Sequence, residues 1–475
     1  CIRDSLKTNR IENPLGFALE RPSFSWIVED TSDQVQTAAQ FILAKDPEFD
    51  QVLFDSGRQT GLCIDSLAYR PNIYLAPRTR YFWKVRVWGE TEYAESGTAW
   101  FETAKMDESW QAQWITPWVT PDFESHASHP ILSKSFALPA PALSARVYIC
   151  GLGLYHLELN GRKVGDEYLT PYCNAYDQWL QYQTFEITGH LTEGENCIAV
   201  MLGNGWYKGR YCGHGGQHSN VYGDKFALIC EVRVTLQTGE ELVLGSDDAW
   251  TATRSPVLAS EIYDGEIYDA RLAHRPTRQD DVCGVRPIAI DTSKLQARRS
   301  LPVCINEERK PAAVLHTPAG ETVLDMGQNM VGWVRFKTNA PAGTEIHLQY
   351  GEVLQGGNFY RDNLRSAKAE YTYIADGREA IVQPYFTFYG FRYVKVTGWP
   401  GEVKPEDFTG CVVYSKMDLI GDIQTSNEKV NRLFQNALWG QKGNFLDIPT
   451  DCPQRDERLG WTGDTQMFSG AACFN

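Results

Sequence analysis

The sequence predicts a multi-domain, mainly β protein that turns helical only near residue 417, and three observations carry that prediction. Short runs of alternating apolar and polar residues, punctuated by Gly, Pro and Asn, recur up to about residue 415. Leu75-Ala76-Pro77-Arg78-Thr79-Arg80-Tyr81 has the spacing of a tyrosine corner, in which a phenol bonds back to nearby backbone at the edge of a β-sandwich. Beyond Thr425 the apolar period lengthens from two residues to between three and four. At about 100–200 residues per domain, a chain of 475 residues holds three or four domains.

The elements follow in order. Phe24-Ser25-Trp26-Ile27-Val28 and Tyr81-Phe82-Trp83-Lys84-Val85-Arg86-Val87-Trp88 alternate as half-buried strands. With the tyrosine corner between them they make residues 1–105 a fibronectin type III-like domain, with Trp26 as the expected core tryptophan. Residues 106–300 read as a second β-sandwich, opened near Trp114, with strands at 145–149, 155–159 and 198–202. Asn160-Gly161 and Asn204-Gly205 both read as hairpin turns, because Asn and Gly tolerate positive φ. The stretch 211–222 carries His214 and His218, but Gly215-Gly216 between them argues for a surface loop rather than a metal-binding helix. Residues 301–416 form another β-rich unit, with strands at 331–336, 345–350 and 389–396 and turns at Gly356-Gly357-Asn358 and Pro400-Gly401. In 417–475, Thr425-Ser426-Asn427-Glu428 has capping-box form. Val430, Leu433, Phe434, Ala437 and Leu438 then make one apolar stripe, ended by Gly440 and Gly443. A second helix is expected from about Asp464, carrying Met467, Phe468, Ala471 and Ala472 on one face. Two such helices cannot bury a core of their own.

Composition narrows the function. Acidic side chains outnumber basic ones 60 to 45, for a net charge of −15, which argues against nucleic acid as a partner because phosphates demand a basic footprint. No apolar run approaches the roughly 18 residues of a membrane span. The 14 Trp, 23 Tyr and 21 Phe suit β-rich domains that stack on ring-shaped ligands, so a carbohydrate-type protein leads. Twelve cysteines stand singly, with no C-x-x-C pair, the pattern of idle thiols in a reducing compartment. Cytoplasm is the expected location, and a mature lipoprotein beginning at Cys1 is the minor alternative. Whether the chain forms a homo-oligomer is not legible.

The densest chemistry is Asp451-Cys452-Pro453-Gln454-Arg455-Asp456-Glu457-Arg458-Leu459-Gly460-Trp461-Thr462-Gly463-Asp464. Four carboxylates, two arginines and a Trp share fourteen residues that Pro and Gly keep irregular, and catalytic groups concentrate on such loops. Glycoside cleavage needs a protonated carboxyl for the leaving oxygen and a second carboxylate. Crowding can raise one carboxyl's pKa while Arg holds the others ionised, and an indole stacks on a sugar ring. The competing reading is structural: Asp451 and Asp464 cap helices while Arg455 and Arg458 neutralise Asp456 and Glu457.

This loop resembles the signature of bacterial α-L-rhamnosidases, glycoside hydrolase family 78. The resemblance extends upstream through Asn13-Pro14-Leu15-Gly16, Arg21-Pro22-Ser23-Phe24-Ser25-Trp26, residues 151–166, Gly203-Asn204-Gly205-Trp206-Tyr207-Lys208-Gly209, Asp325-Met326-Gly327-Gln328-Asn329-Met330-Val331-Gly332-Trp333 and Phe386-Thr387-Phe388-Tyr389-Gly390-Phe391-Arg392-Tyr393. It implies an (α/α)₆-barrel catalytic domain beginning in 417–475 and hydrolysis of terminal α-L-rhamnose with inversion. Glu457 would be the general acid, Asp451, Arg455 and Asp464 would bind hydroxyls, and Trp461 would form an apolar wall. Asp456 carries no assigned role beyond an ion pair with an Arg. The partner is then a rhamnose-containing glycoside or polysaccharide, with no cofactor and no metal. The base is expected on a later part of the barrel. These residues are accordingly expected to be a fragment of a longer enzyme, inactive alone, with a degenerate sugar-binding protein as the alternative.

Weaker candidates complete the reading. Trp206 and Tyr207 with Asn204 are the candidates for a sugar site in the accessory sandwich, with core or turn packing favoured for Trp206. The aromatic run Phe386, Phe388, Tyr389, Phe391 and Tyr393 reads as core and cross-strand packing. The family's domain order suggests that residues 358–365 lend a loop to the active-site rim.

Overall fold

The computed structural model describes residues 6–29, 33, 35–62, 68–118, 129–211, 218–273 and 281–475. His214 lies outside them. The fold is mainly β, as the sequence predicts, with few helices.

In the first unit, a six-stranded sheet runs in the order Leu15–Phe17, Ala99–Thr103, Arg80–Trp88, Ala38–Ala44, Val52–Asp55, with Tyr93–Glu95 paired to Arg80–Trp88. The tyrosine corner is formed: the Ala76 N–H donates to the Tyr81 hydroxyl at 2.7 Å. Trp26 is not the core tryptophan. The strand Phe24–Ser25 stops one residue short of it, so Trp26 lies at the rim, donating through Nε1 to Gln36 at 3.2 Å. Trp83 takes the core place beside Phe24, Phe41 and Phe101, because Tyr81, Trp83, Val85 and Val87 share the inward face of a nine-residue strand.

The second unit is a twelve-stranded array in which Ala142–Leu152 and Ala227–Leu236 pair over ten registered positions. Asn160 and Gly161 take φ of 54° and 71°, turning the chain from Leu154–Leu159 into Arg162–Lys163. Asn204-Gly205 is no second hairpin. Asn204 is helical and the chain enters a single turn, Gly205–Lys208, with Trp206 buried. The Asn204 amide donates to Glu261 at 3.0 Å, and Trp206 is packed in the core. Two strands that fall within residues 106–300, Val257–Glu261 and Gly265–Asp269, join the third sheet, the latter parallel to Glu370–Ile374. Alternation alone does not say which of two sheets a strand joins.

The third unit is a ten-stranded sheet built on the long strand Thr322–Thr338, flanked by Tyr389–Thr397 and Phe408–Ser415. Phe386, Phe388, Tyr389 and Phe391 are buried, as core packing requires. Their core continues into the second unit: Phe386 packs on Gly203 so closely that a Cβ there would lie 2.3 Å from the ring.

The first long helix is Glu428–Asn444. Its N-cap is Asn427, which accepts from the Lys429 N–H at 3.0 Å. Thr425, the expected cap, instead holds the Asn427 N–H and Asn431. The helix also runs through Gly440 and Gly443, where Gly443 lets it approach Val331. Its predicted stripe points outward at the start, with Val430 43% and Leu433 67% exposed, while Leu438, Gln441 and Gly443 are buried. The second helix is Thr462–Phe474, with Trp461 at the cap and Asp464 in the first turn rather than capping it. No helix among the described residues is long and apolar enough to cross a membrane. The described cysteines are free thiols.

Candidate active site

A short hairpin, Phe445–Leu446 with Ile448–Pro449, follows the first helix. The chain then makes a loop closed by Asp451 N–H donating to the Leu459 carbonyl at 3.2 Å. Its floor is Arg458. That side chain is buried and donates to the carbonyls of Ile262 (2.7 Å), Phe388 (2.8 Å), Gln454 (3.2 Å) and Arg455 (3.2 Å). Its guanidinium also lies 4.6 Å from the Phe388 ring centroid. The structural reading of the sequence made Arg458 a neutraliser of Asp456 or Glu457, but it forms no ion pair among the described residues. The Tyr263 hydroxyl completes the floor by donating to the Glu457 carbonyl at 2.8 Å.

The side chains above this floor converge on Glu457. Its carboxylate accepts from Trp461 Nε1 at 2.8 Å, Arg455 at 2.9 Å and Arg365 at 3.2 Å, and Arg455 also reaches Asp451 at 3.1 Å. Burial pushes the Glu457 carboxyl up. The Trp461 bond, Asp451 and the charges of Arg455 and Arg365 outweigh burial and hold it below its usual value. Crowding therefore does not leave a raised acid here, contrary to the sequence-based expectation, because two guanidinium groups converge on one oxygen. Asp456 is fully buried and turns away, accepting from Ser366, with Arg210 3.7 Å off. Its expected Arg pair thus comes from the second unit.

The five candidate site residues are not equally close. Asp451, Arg455, Glu457 and Trp461 form one cluster. Trp461 is engaged at its N–H edge and is 45% exposed, which leaves ring surface for an apolar contact. Asp464 is exposed and shares with Asp451 the lining of a groove of about 780 Å³ between the two helices, walled by Phe445, Met467 and Phe468. Asp451 Oδ1 and Arg455 Nε are buried with no hydrogen-bond partner, a spare acceptor and a spare donor of the kind that sugar hydroxyls satisfy. The ligand atoms of Asp451, Cys452 and Glu457 lie within 4.8 Å of one another, but the Arg455 and Arg365 cations already neutralise that space. Sequence reasoning missed Tyr263, Ser366 and Arg210, and named Arg365 only as the end of a rim loop. Each is distant along the chain and carries no local motif.

A β-sandwich array that hands a carboxylate–arginine loop to the start of a helical domain is the architecture of a multi-domain glycoside hydrolase. Matches to family descriptions agree along the chain: a Rha78A-like N-terminal immunoglobulin domain at 3–107, an alpha-L-rhamnosidase N-terminal domain at 140–307, a bacterial alpha-L-rhamnosidase concanavalin-like domain at 315–414, and the 6 hairpin glycosidase domain at 418–475. The chain belongs to the bacterial α-L-rhamnosidase family, glycoside hydrolase family 78. It is 34% identical to an alpha-L-rhamnosidase of Formosa agariphila over 98% of its own length and 52% of the relative's. A second, from Streptomyces avermitilis, is 37% identical over 82% of this chain and 38% of the relative. The crystal structure of the Aspergillus terreus α-L-rhamnosidase superposes with a TM-score of 0.91 at 33% identity, covering 99% of this chain and 55% of that one. The Streptomyces avermitilis enzyme complexed with L-rhamnose gives 0.90 at 27% identity, covering 98% and 63%. The chain spans about half the length of the Formosa relative it matches.

Proposed function

We propose that the protein hydrolyses terminal, non-reducing α-L-rhamnosides with inversion, using Glu457 as general acid. The observation that carries this is the convergence of Trp461, Arg455 and Arg365 on one buried carboxylate, with Asp451 held beside it on Arg455, next to a buried donor and acceptor that lack partners. The likeness to an enzyme complexed with L-rhamnose supports rhamnose as the sugar. In this reading Asp451, Arg455 and Asp464 take ring hydroxyls, and Trp461 covers the apolar face of the ring.

Glu457 must be protonated to act. Arg455 bonds it as the site stands and holds Asp451 beside it, and these two are the groups a rhamnosyl unit would engage. Drawing them onto hydroxyls removes two of the influences that hold the carboxyl down and moves it toward its protonated form. Inversion places a base about 6.5–9.5 Å away with water between; we place that base on the part of the relatives' length that these residues do not span. The described free thiols support a reducing compartment.

The test is a panel of aryl glycosides offered to the full-length protein, with the first-formed sugar followed by proton NMR. Turnover of the α-L-rhamnoside above all others, releasing β-L-rhamnose first, is the expected result. Preference for another glycoside, or release of α-L-rhamnose first, contradicts it.

A further inference from the structure

We propose that Arg365, delivered from the concanavalin-like sheet, is a positioning residue for Glu457: it fixes the carboxylate against Trp461, and its charge sets the pH above which the acid is lost. This rests on the reading of Glu457 as general acid.

Three features of the chain point to Arg365. Its Nη1 lies 3.2 Å from Glu457 Oε2, 92 residues away in sequence and in a different domain. Its backbone has φ 58° and ψ −118°, a strained conformation for a non-glycine residue that persists only where the surroundings impose it. Both neighbours impose it here. Leu364 is buried in the core, while Ser366 donates to Asp456 and accepts from Arg210, which also bonds the Ser366 carbonyl at 3.3 Å. Arg210 in turn holds Asp264 at 2.7 Å. The segment is thus clamped between the second unit and the catalytic loop, and the clamp aims one cation at Glu457.

The groups facing Glu457 are Asp451, Cys452 and Arg455 from its own loop, Trp461 from the helix start, Tyr263 below at the carbonyl, and Arg365 from the sandwich. Arg365 and Arg455 both favour the carboxylate over the acid. A general acid held this way is a stronger proton donor but is lost at lower pH.

The experiment is the pH profile of kcat/KM on an aryl α-L-rhamnoside for full-length Arg365→Gln and Arg365→Lys, each checked for native circular dichroism. A general acid controls the high-pH limb. Removing the cation is expected to move that limb upward by about half to one pH unit, and Arg365→Lys less than half as far. A Gln variant that loses activity equally at every pH, with the limb unmoved, overturns the proposal. So does a Lys variant that shifts as far as Gln. Should the Gln variant not fold, Arg365→Met, which keeps the apolar stem, carries the same prediction. Glu457→Gln separates this from the parent reading. Retained turnover there sinks the general-acid assignment, whereas lost turnover with an unmoved limb in the Arg365 variants sinks the positioning role alone.

Discussion

Arg458 shows how far a single residue's role is from its charge. A guanidinium buried among carbonyls is pulled down to about 10 by desolvation, yet still donates to four of them. The carbonyls of Phe388 and Gln454 rely on the arginine, while that of Ile262 also accepts from Thr387 and that of Arg455 from the Glu457 N–H. Arg458→Met keeps much of the volume and leaves carbonyls unpaired, at roughly 1–3 kcal/mol for each one that stays buried. Amide protection across residues 451–459 is expected to fall by about 2–4 kcal/mol in hydrogen exchange, and protection equal to the parent's would contradict the keystone role. The motif itself was legible in the sequence because its chemistry is contiguous. Which arginine neutralises and which supports was not, since that depends on carbonyls 70 and 196 residues away.

At the scale of elements, the hairpin that leads into the loop 451–459 is tied down by Asp447. This residue sits at φ 67°, accepts from the Cys173 N–H at 3.2 Å, and donates its own N–H to Ser415. Burial pushes its carboxyl up to about 6 from 3.8. A carboxyl raised in the folded state contributes stability that is fully present below the unfolded pKa and is lost as pH rises through the folded one. From about pH 4 to pH 7 the parent is therefore expected to lose on the order of 2 kcal/mol at this contact. Asp447→Asn, which accepts the same bond and tolerates positive φ, is expected to lose none and to melt higher at pH 7. A variant that melts lower at pH 7 than the parent would refute this. Periodicity revealed the strands and both long helices. It misjudged their ends, because Gly443 serves close packing on Val331 rather than termination, and it misplaced Trp26, because a two-residue strand leaves no alternation to extend.

The molecule as a whole is a relay of β units that converge on one loop. The second unit sends Arg210, the turn between Val257–Glu261 and Gly265–Asp269 sends Ile262 and Tyr263, and the loops of the third unit send Phe388, Arg365 and Ser366. The mainly β class and the late turn to helix were readable from turn spacing and the change of period. The convergence was not, since no local pattern encodes which side chains meet across units. The central claim is that Glu457 donates the proton in rhamnoside cleavage, and full-length Glu457→Gln tests it most directly by pairing turnover of an aryl α-L-rhamnoside with calorimetric affinity for L-rhamnose. The account predicts that turnover falls by at least about a hundredfold while rhamnose affinity stays within about tenfold. Unchanged turnover, or loss of binding and turnover together, would contradict it.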